Sequence, residues 1–269
     1  MQPRRRDPPP GFFRVGRDAI MSMYDRADIY DLRWNPKNWD SVRKHYENLL
    51  AGTDIHSVLD CSIGSGNLTL ELAEMGYQVT GSDLSEAMLA RCREKALEKG
   101  LEVELFRSDF REISRTAPGT YDCVMSTGNS LPYVPNEDVV RTLEGMDRLV
   151  KPGGYLYVDI RNWDKVVEEK RQYYFYRPVF HDGLRVDTIQ FWEHHGDGTI
   201  TFHIVFTLER GKDIQREVFQ ELYHPIRRGL VESTLRRLGY RIERLETYPI
   251  QDTRPVDQSD WYCILARKA

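Results

Sequence analysis

Between residues 57 and 160, short apolar runs alternate with stretches whose apolar positions recur every three or four residues. Short runs rich in β-branched and aromatic side chains read as buried strands, and the longer periodic stretches read as helices. The predicted strands cover 57–61, 78–82, 102–107, 121–125 and 155–160, and the predicted helices cover 67–75, 86–99 and 137–149. Strands joined through helices run parallel, because the crossover returns the chain to the same end of the sheet. Ser85 and Asn136 stand where N-caps are needed, and Lys151-Pro152-Gly153-Gly154 predicts a turn ahead of the fifth strand.

From about residue 173 to 223 the rhythm changes. Strand-like runs over 173–180, 185–195, 199–209 and 217–223 follow one another directly. His181-Asp182-Gly183 and Gly196-Asp197-Gly198 read as hairpin turns between them. A helix over 227–238 and strands over 240–248 and 261–266 then restore the α/β pattern. The division that follows is a core over 57–165 and 225–269, with an antiparallel β insertion over 170–224 acting as a lid. Residues 21–56 form a helical cover segment, and residues 1–20 a disordered leader. That leader is rich in Arg and Pro and has no apolar stretch, so it does not read as a secretion signal. Met21 and Met23 stand as alternative starts, since patterning begins at Tyr24.

Composition narrows the function. The 269 residues carry a net charge of −4 with mixed signs, which argues against strong whole-protein attraction to nucleic acid. No run approaches the ~18 apolar residues that a membrane span needs. Cys61, Cys92, Cys123 and Cys263 lie far apart without Cys-x-x-Cys spacing, as reduced core residues of a cytoplasmic protein do. No metal site is expected, because His181, His194, His195, His203 and His224 do not recur at ligand spacing.

The candidate chemistry sits at strand ends. After the first strand comes Val58-Leu59-Asp60-Cys61-Ser62-Ile63-Gly64-Ser65-Gly66, where Gly64 and Gly66 permit a tight turn and close approach to a ligand. The helix that follows would aim its first amides at that ligand. Asp83 ends the second strand, where an acid can accept both hydroxyls of a ribose. Asp109 ends the third, beside Phe110, where it can meet an adenine amino group. All three features belong to one carboxyl edge, where open α/β sheets bind ligands. A dinucleotide fingerprint needs a third glycine for helix packing; Thr69 stands there instead. The pattern therefore favours a sulfonium nucleoside without a pyrophosphate.

These motifs (VLDCSIGSG, GSDLSEAML and RSDF) resemble those of the class I S-adenosylmethionine (SAM)-dependent methyltransferases, over roughly residues 24–267. The resemblance implies a Rossmann-like, seven-stranded mixed sheet with an antiparallel last strand, SAM as cofactor and S-adenosylhomocysteine as product. It assigns the methionine end of SAM to Ser62, Gly64 and Gly66, the ribose to Asp83, and adenine to Asp109 and Phe110. Asp60, Leu84, Thr127 and Gly128 join the same cofactor set, and an aromatic segment carrying Tyr24 and Trp34 folds over it.

A narrower likeness is to glycine and glycine/sarcosine N-methyltransferases. It rests on Thr127-Gly128-Asn129-Ser130, on Pro152-Gly153-Gly154 with Val158-Asp159-Ile160-Arg161-Asn162-Trp163-Asp164, on Leu222-Tyr223-His224-Pro225, and on Tyr24, Tyr30 and Trp34. It implies that Asn129 and Arg161 hold a substrate carboxylate, with Tyr133 and Tyr223 also lining the substrate. Tyr24, Tyr133 and Tyr223 are the candidate catalytic groups. Tyr133 stands where the mammalian-type enzyme has a histidine, and Phe206 about where it has a substrate-contacting tyrosine.

Bland readings stand beside each of these. Arg161 can simply pair with Asp159 or Asp164. The lid aromatics Tyr173, Tyr174, Tyr176, Trp192 and Phe202 can simply pack, or can cage a methylated ammonium. The expected partner is a small molecule, with no nucleic acid and no membrane, and a homo-oligomer is left open. Other acceptors remain as rivals: a small-molecule oxygen or carbon, or a base, since Ser130-Leu131-Pro132-Tyr133 partly resembles an Asn/Asp-Pro-Pro-Tyr motif. The basic Arg227-Arg228, Arg236-Arg237, Arg241 and Arg244 stretch reads as a solvated face. A SAM-binding protein without transfer activity is the other rival.

Overall fold

The computed structural model describes residues 22–34, 36–248 and 252–269, so the leader over 1–20 lies outside the described residues. A 3-10 turn (Met23–Asp25) precedes α1 (Ala27–Asp31) and α2 (Pro36–Leu49). Then come β1 (Ser57–Asp60), α3 (Leu70–Glu74), β2 (Gln78–Asp83), α4 (Glu86–Glu98) and β3 (Val103–Arg107). A 3-10 turn (Phe110–Glu112), α5 (Ile113–Thr116), β4 (Tyr121–Ser126) and a third 3-10 turn (Leu131–Tyr133) follow. Next are α6 (Asn136–Asp147), β5 (Val150–Arg161) and α7 (Trp163–Glu169). The insertion comprises β6 (Tyr173–Phe175), β7 (Val179–His181), β8 (Leu184–His194), β9 (Ile200–Arg210) and β10 (Asp213–Tyr223). The chain closes with α8 (Arg228–Arg237), β11 (Tyr240–Thr247) and β12 (Trp261–Lys268).

The main sheet has the order β11-β12-β5-β4-β1-β2-β3, with β12 antiparallel to both of its neighbours. This is the seven-stranded mixed sheet with an antiparallel last strand that the motifs implied. The order reverses between β1 and β4, and a crevice opens outside the carboxyl ends of strands at such a switch point. The central strands β1, β4 and β5 are buried on both faces, as parallel strands covered by helices must be. Val58 and Leu59 of β1 enter different apolar clusters on opposite sides of the sheet.

The insertion forms a second sheet, β10-β9-β8-β6, with β7 also paired to β8. Its inward positions, among them Trp192, Phe202, Phe206 and Phe219, join the cluster that contains Leu59, Val124 and Val158. Each such fully buried side chain contributes ~1.5–3 kcal/mol, so this sheet is packed onto the core.

Four local expectations are corrected. The single strand over 173–180 is two short strands, broken around Arg177-Pro178, because Pro178 has no N–H for the ladder. Residues 151–154 do not form a free turn. Tyr121 pairs with Val150 and Cys123 with Tyr155, so they bulge out of a strand that has already begun. Asn136 is the first helical residue, not the cap, whereas Ser85 Oγ does accept the Met88 N–H at 3.2 Å. The helix expected over 67–75 begins only at Leu70.

Candidate active site

The loop after β1 is organised by one buried carboxylate. Asp60 Oδ1 accepts the Ser62 N–H at 3.0 Å. Its Oδ2 accepts the hydroxyls of Thr127, at 2.7 Å, and Thr69. Burial pushes this carboxyl above the usual range, against the pull of those donors. Ser62 Oγ accepts the Thr127 N–H at 3.0 Å, which ties the β1 loop to the β4 loop across the switch point. Asp60, Ser62 and Thr127 therefore shape the crevice through one another.

Both glycines of the loop turn the backbone through positive φ. Gly66 has φ +80°, and a Cβ there would stand 2.6 Å from Leu70 Cγ and 2.8 Å from Cys92 Sγ. Gly64 has φ +56° with nothing within 4 Å of a built Cβ, so its exposed side is open to a ligand.

Asp83 and Asp109 lie on the same edge, because β2 and β3 run parallel with Asp83 opposite Arg107. Asp83 accepts the Gly64 N–H on Oδ2 and the Ser85 N–H on Oδ1, both at 2.9 Å. It therefore reaches from the second strand to the glycine loop with lone pairs to spare. Burial raises its pKa. Leu84 beside it is 57% exposed, an apolar ledge at the sheet edge. Asp109 caps the Phe110–Glu112 turn and is held below the usual carboxylate range first by Arg111, whose pairing is half-exposed and weak. Phe110 is half-buried beside it.

The N-terminal segment closes over this edge through an acid that was not singled out beforehand. Asp31 Oδ1 accepts from Ser65 Oγ at 2.6 Å and Asn67 Nδ2 at 2.9 Å, and Oδ2 pairs with Arg91 at 2.9 Å and Lys95 at 3.1 Å. One carboxylate thus clamps α1 to the glycine loop and α4. Tyr24 O accepts from Ser85 Oγ at 2.8 Å, a second tie. Nothing in the local pattern distinguishes Asp31 from a surface acid, which is why it escaped notice. Trp34 is half-buried against the apolar cluster that contains Val42 and Leu70.

On the other side of the crevice lies Arg161, at the carboxyl end of β5 and 2% exposed. Neither bland partner holds it. Asp159 Oδ1 accepts the Gly128 N–H at 2.7 Å, while Asp164 takes Arg227 at 3.1 Å and the Arg228 N–H at 2.9 Å. Arg161 Nε and Nη1 have no hydrogen-bond partner among the described residues. Its guanidinium lies 4.7 Å from the Trp261 ring centroid, 5.0 Å from Trp192, 5.3 Å from Tyr174 and 5.7 Å from Phe202. Three of the lid aromatics thus cage the protein's own cation. Tyr176 lies beside it and under Arg33, whose guanidinium is 4.4 Å from the ring centroid. Burial opposes ionisation of Tyr176, yet Arg33 and Arg161 bring its hydroxyl below the usual tyrosine range.

Asn129 (φ +65°) accepts with Oδ1 from the Arg161 N–H at 3.1 Å and from Trp163 Nε1 at 2.9 Å. Its carbonyl therefore fixes Arg161, leaving only the amide nitrogen for a ligand. Tyr133 donates to the Tyr24 hydroxyl at 2.8 Å and shares a 2.5 Å hydrogen bond with Tyr223. The three candidate tyrosines thus come together from three separate elements, and burial raises the pKa of each. Phe206 is not among them; it packs edge-on to Phe219.

Over residues 58–154 the sequence matches the family described as a methyltransferase domain. The chain is a SAM-dependent methyltransferase. A glycine/sarcosine/dimethylglycine N-methyltransferase of Actinopolyspora halophila is 27% identical over 94% of this methyltransferase, which spans 44% of that relative's length. A ubiquinone biosynthesis O-methyltransferase of Nitrosococcus oceani is 36% identical, over 48% of this chain and 51% of its own. The structure of SAM-bound CalS10, an amino pentose methyltransferase from Micromonospora echinaspora, superposes with a TM-score of 0.71 at 17% identity, covering 93% and 98% of the two chains. SAM is the cofactor of this family. Gly64, Asp83 and Leu84 fit it, offering an open glycine face, an acid with free lone pairs and an exposed apolar ledge. Among the described residues, no helix of the methyltransferase is long and apolar enough to cross a membrane.

Proposed function

We propose that this methyltransferase transfers the methyl group of SAM to a small molecule, the amine nitrogen of an amino acid or another carboxylate-bearing amine. One observation carries the reading: Arg161 is buried with two donor groups unpartnered and no carboxylate on it. Leaving a buried charge uncompensated costs several kcal/mol, and the ring faces around it return ~0.5–2 kcal/mol each. A substrate anion accepting from these donors completes the site. The likeness to the glycine/sarcosine relative points the same way.

In this reading the glycine loop and Thr127-Gly128 border the methionine end of the cofactor, Asp83 takes the ribose, and Leu84 with Phe110 covers adenine. Asp109 exchanges Arg111 for the adenine amino group. The bound cofactor supplies an electrophilic methyl. The chain's own work is to hold the amine in line with the breaking bond, and such positioning can lower a barrier by ~7–11 kcal/mol. Asn129 holds Arg161, which holds the carboxylate, and the tyrosine hydroxyls face the amine. The insertion over 170–224 acts as the lid that supplies Tyr174, Trp192 and Phe202.

The partner is a free cytoplasmic metabolite rather than nucleic acid. The basic stretch near α8 is neutralised pair by pair, with Arg236 on Glu232, Arg237 on Glu144, Arg241 on Glu243 and Arg244 on Glu246. The test is incubation with SAM and a panel of amines with and without carboxylates, while S-adenosylhomocysteine is followed. Turnover should appear with carboxylate-bearing amines. Turnover only of alcohols, phenols or nucleic acid defeats the reading.

A further inference from the structure

A buried acid lies at the end of the tyrosine cluster. On β10 the inward positions are Phe219, Glu221 and Tyr223, all buried. Glu221 is the only buried acid in the insertion among the described residues, and it lies opposite Phe202 in the ladder. Its Oε1 accepts from Ser22 Oγ at 2.8 Å and the Met23 N–H at 2.7 Å. Burial raises it above the usual glutamate range, while Ser22, Met23 and the neighbouring Tyr133 hydroxyl pull it down.

The other charged and titratable groups facing it are Asp25 and Tyr24 on the first 3-10 turn, Tyr133 and Tyr223. Beyond them lies the Arg26–Glu217 pair, separated by 3.8 Å. None of them is a cation bonded to Glu221. From Tyr133 the hydroxyls lead to Tyr223, whose ring lies 4.6 Å from Phe202 and 5.4 Å from Trp163, and so to the walls of the Arg161 chamber.

An amine is bound mostly as its ammonium at neutral pH and has no lone pair to attack with. We propose that Glu221 accepts the substrate ammonium's proton, reached through the hydroxyls of Tyr223 and Tyr133. The ammonium N–H gives its proton to the Tyr223 oxygen, Tyr223 passes its own to Tyr133, and Tyr133, its hydroxyl turned from Tyr24 toward Glu221, passes its own to the carboxylate. Both hydroxyls are regenerated, and their hydrogens rotate to suit each step. The balance is ammonium plus carboxylate giving free amine plus carboxylic acid. The freed lone pair then takes the methyl, and Glu221 releases its proton to water past half-buried Ser22. Acting through Tyr133, Glu221 serves as a positioning and proton-holding group.

This inference rests on the amine reading above. Its test uses Glu221→Gln, which keeps an oxygen for Ser22 and Met23 and removes the basicity. With glycine and sarcosine as probes, kcat/KM is followed as S-adenosylhomocysteine formation from pH 6 to 10. Relative to wild type, the variant should be about 100-fold slower near pH 7. The deficit should shrink to within about threefold near pH 10, where an alkyl amine provides its own lone pair. Tyr133→Phe should show the same pH-dependent deficit, and stands in if the Gln variant does not fold. A deficit equal at every pH, or no deficit, overturns the proton role alone. No amine turnover by wild type overturns the amine reading and this inference together.

Discussion

The two walls of the crevice are built on opposite terms. On the β1 and β4 side, Asp60, Ser62, Thr69 and Thr127 satisfy one another, so the loop holds its shape from within. On the β5 side, Arg161 is just as deeply buried but is left with free donors among aromatic rings. A polar cluster that completes itself is a scaffold, and the incomplete one is where we place the substrate. Asp159 lies between the two walls: its Oδ1 holds Gly128, while its Oδ2 has no partner among the described residues.

The sharpest way to break this contrast is Arg161→Ala. It should lower kcat/KM for a carboxylate-bearing amine by about 100- to 1000-fold, or about 3–4 kcal/mol. Calorimetric affinity for S-adenosylhomocysteine should stay within about threefold; an equal fall in both would mean that the walls are one unit.

The boundary residue supplies the next test. Burial raises Asp159 to about 8, so it remains protonated in the fold while ionised in the unfolded chain above pH ~4. Its contribution is therefore complete below pH ~4 and is lost as pH rises toward 8, at up to about 1.4 kcal/mol per pH unit. Asp159→Asn removes that slope, so its melting temperature relative to wild type should climb between pH 5 and 8.

Asp60→Asn replaces one of the two acceptor oxygens and should cost about 2 kcal/mol in denaturant unfolding. An unchanged midpoint would show that the scaffold does not depend on this carboxylate. Smallest is Asp83→Asn, which should weaken S-adenosylhomocysteine binding about tenfold, or about 1.4 kcal/mol, with little change in stability.

Much of the first wall was legible in the sequence, because its parts are local. Gly64 and Gly66 follow a strand within one loop, and Asp83 ends the next strand, so period and turn chemistry place them on one edge. The second wall was legible only in part. Arg161 and the three tyrosines were named from motifs, but their convergence joins residues up to 199 positions apart, as the Ser22–Glu221 contact does. The Asp31 clamp had no local signal. Glu221 did have one, an acid in the inward register between Phe219 and Tyr223, which only the known facing of β10 makes meaningful. From the sequence the lid aromatics suit a methylated ammonium; in the fold they surround a guanidinium, because strand pairing brings Tyr174, Trp192 and Phe202 over the end of β5.

The most direct test compares an amine carboxylate with its uncharged amide, in wild type and in Arg161→Ala, by initial rates of S-adenosylhomocysteine formation. The account predicts that wild type favours the acid by at least about 100-fold in kcat/KM and that the variant loses this preference. Equal rates for acid and amide in wild type, or a preference that survives the substitution, would contradict it.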